Sequence, residues 1–303
     1  MTPPPALAGE RIDFPGAGQL SAYVAGQGPP LLLVHSINAT GSAAEVRPLF
    51  ERLQSTHTVF AIDLPGYGFS ERSDREYTPR LMTDALHAMA AEVRRRCALP
   101  QDAALDALAV SLSTEFLARA ASEQPRHWGR LALVSPTGFN GRRPLRGPPG
   151  STRGLPWLRR VLAKPLWSQA LFNGLTRPGV VRFFLRGTFG SRDIDEAMWA
   201  YGLLSARVPG ARFAPLSFLS GQLFSADIHT VYEALTQPVW MSQGTRGDFT
   251  DFRSADLVRG RPNWSFSVYE GAGALPYFQQ PQRFQADLLR WLQGANVDAA
   301  TGH

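Results

Sequence analysis

The feature that most constrains this chain is a run of four apolar residues, Leu31-Leu32-Leu33-Val34, that starts a repeating pattern of short apolar segments and longer helical ones. Without the alternation of a one-sided strand, such a run describes a strand buried on both faces, which needs helices above and below it. Apolar segments at residues 58–64, 105–110, 130–134, 238–242 and 264–268 repeat it, and residues 20–24 precede it. Between them, Ser42-Ala43-Ala44-Glu45 has the spacing of a capping box and predicts a helix through about Leu53. Thr78-Pro79 sets a capping hydroxyl before a proline at the first helical position and opens a helix to about Arg96. Further helices are expected at 114–122, 228–235 and 281–292. The alternation predicts the α/β class, with a doubly wound, mostly parallel sheet.

The pattern stops near Phe139. Residues 139–150 form a Pro/Gly/Arg-rich loop, and irregular helical patches rich in aromatics continue to Phe224. The expected organisation is a flexible leader over 1–10, a core from 11–138 and 225–293, a helical lid inserted at 139–224, and a tail at 294–303. Most of the aromatics hold the inserted helices together, and a few line a pocket.

Length and charge narrow the function classes. A chain of 303 residues can bury one large core with an insertion. Cys97 is the only cysteine, so no intrachain disulfide can form. The net charge of +6 is almost wholly arginine, Lys164 being the only lysine. Because the arginines are scattered, no nucleic-acid partner is expected. No apolar run reaches membrane-spanning length, and Met1-Thr2-Pro3-Pro4-Pro5 lacks the features of a secretory signal, so a cytoplasmic protein is expected. No metal-ligand cluster or phosphate-cradling glycine loop is present, so no cofactor is expected.

Four segments, in order across residues 20–293, resemble motifs of the α/β-hydrolase superfamily. Val34-His35-Ser36-Ile37-Asn38 is similar to the loop whose backbone N–H forms half of the oxyanion hole, which implies Ile37 as that donor. Asp63-Leu64-Pro65-Gly66-Tyr67-Gly68-Phe69-Ser70 resembles a loop that shapes the pocket floor, with Asp63 structural. Leu108-Ala109-Val110-Ser111-Leu112-Ser113-Thr114 lies between a strand and a helix and resembles the nucleophile elbow, implying Ser111 as nucleophile and Leu112 as second oxyanion donor. Ala109 and Ser113 stand where glycines are usual. Taken alone, the same residues also describe a serine-rich helix start.

The fourth segment concerns the remaining triad places. Asp248, after the segment at 238–242, matches the acid, with Asp251 as alternative. In Gly271-Ala272-Gly273-Ala274, the register set by Gly273, Gln279 and Pro281 puts Ala274 where the family carries its histidine. His35 ends a strand at the correct edge of the sheet and could serve as base or as a brace of the oxyanion loop; His229 and Glu115 are the other candidates. A serine hydroxyl is a weak nucleophile without an adjacent base. The resemblance therefore implies a protein handling a small, largely apolar, ester-like ligand through Ser111 and an oxyanion hole, with a degenerate triad. Two alternatives stand beside it: a cofactor-free lyase or isomerase, and a binding protein without turnover.

Overall fold

The computed structural model describes residues 2–162 and 164–295. Eight strands form one sheet in the order β1-β2-β4-β3-β5-β6-β7-β8. β1 (Glu10–Gly16) and β2 (Gly18–Ala25) make an antiparallel hairpin, and β2 runs antiparallel to β4 (Thr58–Asp63). The pairs from β4 onward are parallel: β3 (Pro30–Val34), β5 (Leu105–Val110), β6 (Trp128–Val134), β7 (Val239–Gly244) and β8 (Trp264–Tyr269).

Continuous apolar runs are explained by where alternate residues go. Leu32, Val34, Phe60, Ile62, Ala107 and Ala109 point to one face, into a core with α2 (Pro79–Arg96), α3 (Ser113–Glu123) and α9 (Ile228–Ala234). Leu31, Leu33, Val59, Ala61, Leu108 and Val110 point to the other, against α1 (Arg47–Leu53) and α12 (Pro281–Leu292). Each such Leu or Val removed from water contributes about 1.5–3 kcal/mol, so a polar residue in any run would disrupt one of two cores. Two short helices, α10 (Asp256–Arg259) and α11 (Pro276–Gln279), complete the scaffold.

Between β6 and α9 lie five more helices: α4 (Pro156–Leu162), α5 (Pro165–Leu175), α6 (Pro178–Phe189), α7 (Glu196–Ser205) and α8 (Phe213–Leu219). They bond to loops that leave the carboxyl ends of three parallel strands. Arg72, after β4, donates to the Ser205 carbonyl at 2.9 Å, Asp248 N–H to Gly187 at 3.0 Å, and Ala274 N–H to Thr188 at 2.8 Å. The two ends of the insertion are pinned together. Thr152 bridges Ser225, and buried Asp227 pairs with Arg119 of α3 at 2.5 Å while accepting from Gly150 N–H.

Several expectations are revised. Ser42 makes no side-chain cap; Ala43–Val46 is a 3₁₀ turn whose Ala43 N–H is held by the Asp63 carboxylate at 2.8 Å. β1 was not expected, although Ile12 and Phe14 face inward at the two-residue spacing of a strand. The leader is anchored: Leu7 is buried, Ala6 N–H donates to the Tyr23 hydroxyl, and the Tyr201 hydroxyl donates to the Pro4 carbonyl. Of the tail expected at 294–303, residues 296–303 lie outside the described residues.

Candidate active site

Ser111 follows the last residue of β5 and precedes α3, with φ of +53°. Left-handed φ is rare for a non-glycine residue and stores about 1–3 kcal/mol of strain, so surrounding contacts must impose it. They are visible: Ser111 N–H donates to Val134 of β6 at 2.8 Å, and the Ser111 carbonyl accepts from Thr114 N–H at 3.1 Å and from the Thr114 hydroxyl at 2.6 Å. The Ser111 side chain is half-buried, and among the described residues none hydrogen-bonds to its hydroxyl. Ser113, at a usual glycine position, donates its hydroxyl to the His35 carbonyl at 2.5 Å and so ties the elbow to the end of β3.

Beyond His35 the loop is built around a buried carboxylate. Glu45 accepts from Ser36 N–H at 3.3 Å, the Ser36 hydroxyl at 2.8 Å and the Asn38 amide at 3.2 Å. Burial pushes its carboxyl up to about 7, against the pull of those bonds. Within this frame Ile37 is buried, and its N–H has no acceptor among the described residues. Leu112 N–H, at the start of α3, likewise has none. Two unsatisfied backbone donors thus lie in the segments that follow the neighbouring strands β3 and β5.

Each histidine candidate has its ring committed. Leu64 N–H donates to His35 Nε2 at 3.1 Å, so Nδ1 carries the proton and donates to the Ser36 carbonyl at 2.6 Å. Burial lowers the His35 pKa, which keeps this tautomer neutral. No ring nitrogen remains for Ser111, so His35 braces the loop from within and cannot take the serine's proton in this arrangement. His229 accepts from Leu145 N–H at 3.0 Å and bonds Gly138 at 2.7 Å, holding the start of the insertion. Glu115 accepts from the Thr137 hydroxyl at 2.6 Å and Ser225 N–H at 2.8 Å, and burial raises its carboxyl to about 7. Asp63 accepts from Ala43 and Phe69 N–H, a structural use.

Ala274 follows the edge strand β8 and is tied back to the end of β6. Its carbonyl accepts from the Ser135 hydroxyl at 2.8 Å, and Ser135 follows Val134, the acceptor of Ser111 N–H. The loop is held in register by Gln279, which accepts from Gly273 N–H at 2.6 Å and donates to the Phe189 carbonyl. Gly273 is needed there, since a Cβ would lie 2.4 Å from the Phe189 carbonyl carbon. Asp248 bonds the same α6 turn through its N–H, but its carboxylate is exposed and without a hydrogen-bond partner among the described residues. Asp251 is paired with Arg253 and capped by Gly141 N–H, which lowers its pKa. A narrow cleft of about 10 Å³, room for about one water, separates Asn38, Thr40 and Glu45 from Leu185 and Met198 of the inserted helices. Among the described residues, no cluster of His, Cys, Asp and Glu side chains is placed to hold a metal ion.

Sequence reasoning named Ser111, Asp248, His35, Ile37, Leu112 and Ala274, and gave no sign of the hydrogen bonds that Glu45, Ser113 and Ser135 make around them. Glu45 was visible only as the last residue of a capping box, and nothing in its neighbours signals a partner at Ser36.

The fold defines a class, and comparison with known proteins agrees. The family model described as alpha/beta hydrolase fold matches residues 29–181, half of the chain, and the chain belongs to that family. A pimeloyl-[acyl-carrier protein] methyl ester esterase of Xylella fastidiosa is 35% identical over 68 residues, 22% of this chain and 25% of that protein. The chain thus matches about a quarter of the length of such curated relatives. Among solved structures, a serine hydrolase involved in carbazole degradation superposes with a TM-score of 0.71 at 15% identity, over 94% of this chain and 99% of that one. A meta-cleavage product hydrolase from Pseudomonas fluorescens IP01 gives 0.70 at 14%, over 94% and 98%. At such identities the likeness is one of fold. No described helix is long and apolar enough to cross a membrane.

Proposed function

We propose that this chain is a slow hydrolase of small, largely apolar, ester-like substrates, in which Ser111 attacks a carbonyl whose oxygen is held by the N–H groups of Ile37 and Leu112. The observation that carries the reading is Ser111 itself, a non-glycine residue strained to φ of +53° with an unpartnered hydroxyl, followed by the unsatisfied Leu112 N–H. Strain of this kind persists where its surroundings enforce it, and it clusters at reacting groups. Oriented donors at a developing oxyanion stabilise it by about 3–4 kcal/mol each. With His35, His229 and Glu115 engaged elsewhere and Ala274 in the histidine position, the serine proton passes to water or to a basic atom of the substrate, and turnover is slow. The inserted helices act as a lid in this reading, because they bond to the loops that leave the carboxyl ends of β4, β7 and β8.

Hydrolysis of 4-nitrophenyl butyrate tests this. The parent chain should exceed the buffer rate, and Ser111→Ala should lower the excess at least about tenfold. Equal rates in both would contradict a nucleophilic Ser111. The commitment of all three candidate bases favours one second reading, a ligand-binding protein without turnover, and a parent rate no greater than buffer would select it.

A further inference from the structure

The charge of this chain is segregated by the placement of its acids. From Gln124 to Arg192 there is no aspartate or glutamate, and residues 139–192 alone hold eleven basic side chains. The rest of the chain has 20 basic against 25 acidic residues, so the net positive charge resides in residues 139–192. Arg146, Arg159 and Arg182 are ion-paired with Glu233, Glu76 and Glu196; among the described residues the other eight are in no salt bridge.

The same segment exposes apolar side chains that a water-facing surface would not select. Eight of the twelve exposed large apolar residues among those described lie in it, including Leu166 at 87%, Phe183 at 69% and Trp157 at 62% exposure. They are interleaved with the cations. On α4, Trp157, Arg160 and Val161 share one face. Trp167 of α5 donates its indole N–H to the Val161 carbonyl at 2.9 Å, joining α5 to α4, and carries the Lys164 ammonium over its ring at 5.3 Å. α5 packs in turn on α6, which presents Phe183 and Phe184 edge to face at 5.6 Å.

We propose that α4, α5 and α6 form a docking surface for an anionic phospholipid membrane, with Trp157, Leu166, Trp167, Phe183 and Phe184 entering the headgroup boundary and the unpaired arginines and Lys164 meeting lipid phosphates. Helices with aromatic and aliphatic side chains on one side and basic residues around them bind that interface, with strength set by apolar area and by attraction to anionic lipid together. A second copy fits less well, because a two-fold contact through this face would set two surfaces with an excess of cations against each other. Nucleic acid would use the cations and the rings but not a leucine as exposed as Leu166.

The test is flotation with vesicles of phosphatidylcholine alone and with roughly one third phosphatidylglycerol. The protein should bind the anionic vesicles at least about tenfold more strongly, lose them as salt is raised, and show a blue shift of tryptophan emission on binding. The triple variant Trp157→Ser, Phe183→Ser, Phe184→Ser, whose sites are exposed, should keep its circular dichroism and lose at least about tenfold in binding. Absence of binding, equal binding to both vesicles, or binding unchanged in the folded variant would overturn the proposal. So would a concentration-dependent dimer that the variant dissolves, which would place a second copy on the face, or binding only to single-stranded DNA.

Discussion

Ala274→His is expected to raise hydrolysis of small aryl esters by at least about tenfold over the parent chain. The position is prepared in three ways. The Ser135 hydroxyl holds the Ala274 carbonyl next to the strand end that accepts Ser111 N–H, Thr188 holds its N–H, and Gln279 holds the preceding glycine. A histidine there would supply the one group the site lacks, a base for the Ser111 hydroxyl. The gain should fall far short of a full triad, in which the histidine is worth about 10⁶ in kcat, since nothing in the present surroundings was selected to orient the ring. Asp248, attached to the same α6 turn with its carboxylate unpartnered, is the residue proposed to orient it. Adding Asp248→Asn to Ala274→His should then remove most of the gain. An unchanged rate in folded Ala274→His would contradict either the register or the role of Ser111.

The second large effect is on stability. Glu115 is wholly buried and its carboxyl is raised to about 7 from an ordinary value of 4.5, because burial penalises the charged form more than the Thr137 and Ser225 bonds favour it. The folded state therefore holds this proton more tightly than the unfolded chain. Stability from that difference is full below about pH 4.5 and is lost as pH rises through about 7, by on the order of 3 kcal/mol. Glutamine carries no titrating proton, so the deficit of Glu115→Gln relative to the parent should be largest near pH 5 and shrink by about 3 kcal/mol near pH 8. Urea unfolding at the two pH values measures it. The buried His35 titrates in the opposite sense but is common to both proteins and cancels. An equal deficit at both pH values would mean that Glu115 is not protonated in the fold.

How much of this was legible in the chain depended on whether the signal was local. The runs that became β3 to β8 were visible because burial on both faces needs unbroken apolar sequence, and their ends fall within two residues of expectation. β1 was missed because only Ile12 and Phe14 carry its alternation, and its pairing with β2 is what makes it a strand. Residues at strand ends, Ile37, Ser111 and Ala274, could be ordered along the chain, and the parallel sheet gathers such ends at one edge. Their supports could not. Glu45 reaches back nine residues to Ser36, His35 spends its second nitrogen on Leu64 twenty-nine residues away, and Ser135 meets Ala274 across 139. Such partners are set by strand order, which a single sequence does not display. The same holds for the leader, whose prolines suggested looseness while Leu7 found a core.

Ser111 is proposed as a nucleophile poised beneath two oxyanion donors, with no base beside it. Exposure of the folded protein to a fluorophosphonate probe, followed by peptide mass mapping, tests it most directly, since the phosphonyl oxygen occupies the place of the oxyanion. Slow, covalent modification at Ser111 is expected, saturating with time, absent in Ser111→Ala and faster in Ala274→His. Folded protein that stays unmodified after long exposure, or is modified at another residue, would contradict it.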